Sequence, residues 1–155
     1  MKQEYCTSTQ HPKWFGLAVQ ALIIMSRENV DSACPSIELA KYLQSEASLL
    51  RRILAVLAKE GFIGTREGRT GGYHLKKPAE SIRLVDIYDV FRTDSNVCIG
   101  ITETAGTHPF GVGMKSVLGE ITKEMDNSMR GVLSQYTIAD IANQLETKIC
   151  NEFRQ

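Results

Sequence analysis

The sequence has no pair of cysteines at metal-binding spacing. Its four cysteines, Cys6, Cys34, Cys98 and Cys150, are widely separated and form no C-x-x-C unit. Zinc frameworks draw ligands in closely spaced pairs, so such a framework is excluded. A secreted disulfide scaffold fits equally poorly, since a chain of 155 residues can build a core without staples. No apolar run reaches the ~18 residues needed to cross a bilayer. The opening Met1-Lys2-Gln3-Glu4-Tyr5 is polar where a signal peptide needs an apolar stretch. The expected compartment is the cytoplasm, with thiols reduced. Charge of one sign is also lacking: 18 Lys+Arg stand against 18 Asp+Glu, a balance that argues against a nucleic-acid partner. Chemistry-bearing constellations are missing too. There is no nucleophile–base pair or carboxylate pair at usable spacing, and Gly68-Arg69-Thr70-Gly71-Gly72 lacks the lysine of a phosphate loop. An enzyme is not expected.

What the sequence does have is an ordinary globular composition, 43% hydrophobic and 23% charged, enough apolar surface to offset chain entropy in about one domain. Leu17, Ala18, Ala21, Leu22 and Met25 recur at helical spacing and predict a helix over about Pro12 to Arg27. Ser36 is placed to cap a short second helix carrying Ile37, Leu39, Ala40 and Leu43. After a break at Gln44-Ser45, Ser45 is placed to cap a third helix whose apolar face is Leu49, Leu50, Ile53, Leu54 and Leu57, ended by Gly61. Two helices joined by a short turn make a helix-turn-helix candidate.

Two strand-like runs follow, Phe62 to Arg66 and Tyr73 to Lys76, around a glycine-rich loop with Arg69 at its tip. A helix-turn-helix followed by such a hairpin is the winged-helix arrangement, although a purely structural hairpin fits the same pattern. Helical spacing resumes from Ile82 to Phe91. Residues 92–113 read as a long loop, which in a small domain is functional or disordered. From about Met114 a long helix is predicted, with Met114, Val117, Leu118, Ile121, Met125, Met129 and Val132 along one stripe. The three- and four-residue steps suit a coiled-coil-like seam, and a homodimer would cover it. The alternative cover is the first helix of the same chain. Thr137 is placed to cap a last helix.

Resolved along the chain, the neutral total divides. Residues 1–80 hold 11 cations and 8 acids, whereas residues 81–155 hold 7 and 10. Between Arg51 and Lys77 seven cations face two acids, an excess of five. Phosphate binding needs local cations, which a net charge does not report. On the third helix Ser45, Ala47, Ser48, Arg51, Arg52 and Lys59 are the expected outward positions; in the hairpin Arg66, Arg69, Gly71, Gly72 and Lys76 join them. Small residues permit close approach to a groove, and arginine pairs with guanine or phosphate. Arg51 and Arg52 read equally well as a solvated helix face.

The runs Ser48-Leu49-Leu50-Arg51-Arg52-Ile53-Leu54, Leu57-Ala58-Lys59-Glu60-Gly61-Phe62-Ile63 and Arg66-Glu67-Gly68-Arg69-Thr70-Gly71-Gly72-Tyr73-His74-Leu75 resemble the Rrf2 family of bacterial transcription regulators. Ile82 to Ile87 resembles that family's helix after the wing. The resemblance implies a mainly α protein with a small β-hairpin wing, a winged helix-turn-helix plus a long C-terminal dimerisation helix. It implies a repressor acting as a dimer on double-stranded DNA operators. The expected division is a DNA-binding region over 1–92, a sensor-type loop over 93–113 and a helical dimerisation region over 114–155. Several members hold an iron–sulfur cluster in that loop through three cysteines and a fourth ligand. This loop offers only Cys98, with His108 ten residues on, so no cofactor is expected and Cys98 is left as a candidate thiol sensor. The competing function is a winged-helix module that meets an acidic protein instead of DNA. No small-molecule effector is identified.

Overall fold

The computed structural model describes residues 10–27, 33–69, 71–91, 103 and 106–152. Helix α1 spans Gln10–Arg27, and its predicted stripe is the floor of the core: Leu17, Ala18, Ala21, Leu22 and Met25 are all buried. Helices α2 (Ser36–Tyr42) and α3 (Ala47–Lys59) pack on each other, and α3 packs on α1. Leu50, Ile53, Leu54 and Leu57 point inward along α3 as their spacing requires. Its C-terminus closes as a Schellman motif. The Phe62 N–H donates to the Leu57 carbonyl (3.0 Å) and the Gly61 N–H to the Ala58 carbonyl (3.1 Å). The motif needs a left-handed residue, and Gly61 supplies it at φ +78°.

Both expected caps on this pair of helices are misplaced. Ser36 is the first helical residue of α2, with Pro35 in the cap position, and Glu46 rather than Ser45 precedes α3. The fixed φ of Pro35 presets helix entry, and the chain enters α3 one residue later than the hydroxyl pattern suggests.

The wing is a two-stranded antiparallel sheet, β1 (Ile63–Arg66) and β2 (Gly72–Leu75), in the register Ile63 to Leu75 and Arg66 to Gly72. A third piece of extended chain joins it. The Cys34 N–H donates to the Tyr73 carbonyl, and the Tyr73 N–H to that of Cys34, both at 2.9 Å. The entry to α2 and the wing are thereby tied together.

A 3-10 turn (Ala79–Ser81) leads to α4 (Leu84–Phe91). Helix α5 runs over Pro109–Leu133 and α6 over Ile138–Glu152. The expected start of the long helix near Met114 is too late. Pro109 occupies the first turn, and the His108 side chain caps it by accepting from the Phe110 N–H at 3.4 Å. Gly111 and Gly113 made this turn read as loop. Segments 82–84 and 136–138 are joined where the Leu84 N–H meets the Tyr136 carbonyl and the Ile138 N–H meets the Ile82 carbonyl, both at 2.9 Å. Ile138 and Ala142 then enter the same buried cluster as α1. Arg27 pins the two helices through Glu146 (3.5 Å) and the Ala142 carbonyl (3.4 Å).

Thr137 caps α6 as its position predicts. Its Oγ1 accepts from the Asp140 N–H (3.1 Å), while the Asp140 carboxylate accepts from the Thr137 N–H and hydroxyl (2.8 Å each). The backbone bond, and then the hydroxyl bond, hold Asp140 below the ordinary aspartate range. A lowered folded-state value contributes stability that is full above the unfolded value and lost as pH falls through the folded one. Asp140→Asn is therefore expected to lower the thermal midpoint at neutral pH and to flatten its fall below about pH 4. Parallel melting curves for both proteins across pH 2–7 would refute this assignment.

Candidate nucleic-acid interface

The residues put forward from the sequence fall on α3, the turn before it, and the wing, and the structure sorts them. Arg51 and Arg52 are exposed on α3, opposite the buried Leu50, Ile53 and Leu54. Ser48 is exposed, and its hydroxyl donates to the Glu46 carboxylate. This bond holds an acid over the first turn of α3, where peptide dipoles favour negative charge. Ser45 is different. The sequence puts it outward, yet its Oγ is buried without a hydrogen-bond partner, and its N–H donates to the Ala40 carbonyl at 2.9 Å. It belongs to the turn between α2 and α3, facing inward. Ala47 is likewise half-buried against the core.

In the wing, Arg66, Arg69 and Lys76 are exposed. Arg66 ends β1 opposite Gly72, and Arg69 lies at the hairpin tip between the strands. Gly71 and Gly72 have structural explanations of their own. A Cβ on Gly72 would sit 2.5 Å from the Cys34 carbonyl and 2.8 Å from the Pro35 nitrogen, so the close approach that only glycine allows is to the chain's own backbone. Gly71 is hemmed in by the Arg66 carbonyl in the same way, and its N–H closes the turn to Gly68 at 3.0 Å.

Two cation–π contacts flank this surface, and the sequence reading missed both. The Arg52 guanidinium lies 5.8 Å from the centre of the Trp14 ring, and Lys77 Nζ lies 4.9 Å from that of Phe62. Trp14 comes from α1, about forty positions before its partner, and nothing local to either residue signals the contact. The surface of α3 and the wing thus carries a row of exposed cations, of which Arg52 and Lys77 are held against rings. It joins an exposed helix face to a hairpin able to contact a phosphate backbone.

The far side of the molecule carries a second surface. One face of α5 packs on α4, where the Tyr88 hydroxyl donates to Asp126 at 3.0 Å and Arg130 pairs with Asp89. The opposite face is open: Val112, Val117, Ile121, Met125, Met129 and Val132 are 48–59% exposed. Leu118, placed on the same stripe by spacing, is half-buried instead.

Cys98 lies outside the described residues, as does Cys6. Cys34 is half-buried beside the wing, and Cys150 is exposed near the end of α6. Among the described residues no group of three or more His, Cys, Asp or Glu side chains could hold a metal ion, and no helix is long and apolar enough to cross a membrane. The residues on which the cluster expectation turns, Cys98 and the loop around it, lie outside the described residues. The backbone of Cys34 is engaged by the wing, and the His108 Nδ1 is turned to its helix.

Comparison with known proteins agrees with this geometry. The Rrf2 family, described as iron-dependent transcriptional regulators, matches residues 13–144. A Lactococcus lactis protein assigned as the helix-turn-helix-type transcriptional regulator YffB is 23% identical over 131 residues, covering 83% of this chain and 84% of its own. A Lactobacillus plantarum crystal structure, assigned as a transcriptional regulator, is 26% identical with a TM-score of 0.72, covering 91% of this chain and 97% of its own. The structure of IscR from T. potens, at 21% identity, shares the fold with a TM-score of 0.67 over 87% of each chain.

Proposed function

We propose, because this chain belongs to the Rrf2 family of DNA-binding transcriptional regulators, that it acts in the cytoplasm as a homodimeric repressor holding two α3–wing surfaces against one operator duplex. The observation that carries this reading is the coincidence of the five-charge excess between Arg51 and Lys77 with the exposed side of α3 and the wing. The apolar stripe of α5 supports two copies per duplex, since a second chain would cover it and set the spacing of two half-sites.

Within this arrangement α3 enters the major groove. Arg51 reads a base there, Ser48 approaches the groove floor, and Arg66, Arg69 and Lys76 fix the wing on phosphates. Arg51→Ala is expected to weaken binding to a genomic fragment from the chain's own promoter by about 1–3 kcal/mol in a gel-shift titration. An unchanged affinity would remove Arg51 from the readout. Wild-type protein that binds no fragment at low salt would favour the acidic-protein module.

Regulation works without a resident cluster, because the loop supplies Cys98 as its one thiol. The Cys98 thiolate attacks one oxygen of hydrogen peroxide, the O–O bond breaks with hydroxide leaving, and the sulfenic acid so formed lowers operator affinity. Cys98→Ser is expected to abolish the peroxide response while keeping the reduced protein's affinity. Equal responses in both proteins would exclude Cys98.

A further inference from the structure

We propose that Trp14 is a positioning residue of the DNA interface: its ring holds the Arg52 guanidinium as a preset phosphate clamp. The inference rests on the DNA-binding reading above and adds to it an element outside the helix-turn-helix and wing. Three observations converge. Arg52 is exposed on α3 with its guanidinium 5.8 Å from the centre of the Trp14 ring, and it makes no ion pair among the described residues. Trp14 is half-buried, and its ring packs on Phe91, the last residue of α4, with centroids 6.4 Å apart and planes 70° apart. Lys13, the residue before Trp14 on α1, is exposed.

The chemistry distinguishes this arrangement from an ordinary packing contact. A guanidinium held by its charge over an aromatic face has no acceptor oxygen there to occupy its five N–H donors. The donors remain free for a phosphate while the long side chain is held in one region. A free arginine loses its rotamer freedom on meeting DNA, whereas one held against a ring has already lost part of it. Phe91 braces the ring that does the holding. Arg51 has no ring contact among the described residues, and the two adjacent arginines divide the work: Arg51 adapts to a base, and Arg52 is set for the backbone.

A phosphate contact acts on every sequence, so the probe is a random-sequence 30-base-pair duplex, titrated at several salt concentrations. Arg52→Ala is expected to weaken binding about five- to tenfold and to reduce the slope of log K against log salt by about 1. Trp14→Leu should give the same direction of change in affinity and slope, and Trp14→Phe, which keeps a ring face, should restore most of it. In the Arg52→Ala background Trp14→Leu should cost nothing further, which a merely structural role would not produce. Should the leucine variant fail to fold, Trp14→Met fills the same apolar contact without a ring. The proposal is overturned if a folded Trp14 variant keeps the wild-type slope, or if its loss is undiminished in the Arg52→Ala background. Wild-type protein that fails to bind the duplex at low salt would overturn the DNA-binding reading and this proposal with it.

Discussion

Ile121→Glu and Met125→Glu are each expected to yield a folded monomer whose affinity for an operator duplex is lower by about 100-fold or more. The two side chains lie in the middle of the open face of α5, 49% and 51% exposed. The opposite face of the same helix is anchored by Tyr88–Asp126 and Asp89–Arg130, and neither substitution touches that anchor. A glutamate on the stripe would meet its own copy across a two-fold interface and be desolvated without a partner, which disfavours association. The loss in DNA affinity is larger than any single contact supplies, because linked half-sites gain 10²–10⁴ from effective concentration alone. Sedimentation velocity and gel-shift titration read the two effects separately. A variant that sediments as a dimer would assign the stripe to some other partner. One that is monomeric yet binds as tightly as wild type would show that a single α3–wing surface suffices.

Gly72→Val is expected to lower stability by about 1–3 kcal/mol and DNA affinity by about tenfold. The added Cβ meets backbone on the Cys34 side, at 2.5 Å from the carbonyl carbon and oxygen, and no rotamer change relieves a clash with backbone. Either the two hydrogen bonds between Cys34 and Tyr73 break or β2 shifts along Ile63–Arg66. In both cases Arg66, Arg69 and Lys76 move relative to α3 while keeping their charge. Thermal melting follows the first effect and gel-shift titration the second. An unaltered melting point and affinity would mean that the wing is not fixed by the Cys34 pairing.

The helices that carry the fold were legible because their apolar stripes are local: Leu50, Ile53, Leu54 and Leu57 announce a buried face by spacing alone. The hairpin was legible for a similar reason, from two short extended runs around glycines. What could not be read depends on distant chain. The type of Ser45 suits an outward cap, and only the packing of α2 on α3 turns its hydroxyl inside. Gly71 and Gly72 read as room for a nucleic acid, whereas the neighbours that need the room are the hairpin's own backbone for Gly71 and Cys34, from the segment before α2, for Gly72. The first turn of α5 was hidden by its glycines, although Pro109 and the His108 cap were there to be weighed. Trp14 offered no signal at all, since its contact with Arg52 is made between α1 and α3.

The opening charge balance proved to be the least informative number. A total of zero is compatible with a basic surface on α3 and the wing as long as the acids lie elsewhere, and ten of the eighteen lie beyond residue 80. The interface depends on where the cations are held, and the fold holds them on one helix and one hairpin.

Genome-wide footprinting of the purified, reduced protein tests the central claim most directly. Discrete protected sites with inverted-repeat symmetry are expected, with half-sites spaced by one helical turn or a multiple of it and protection that fades as salt is raised. Folded protein that protects no site at low salt would contradict it and move the basic surface to an acidic protein partner.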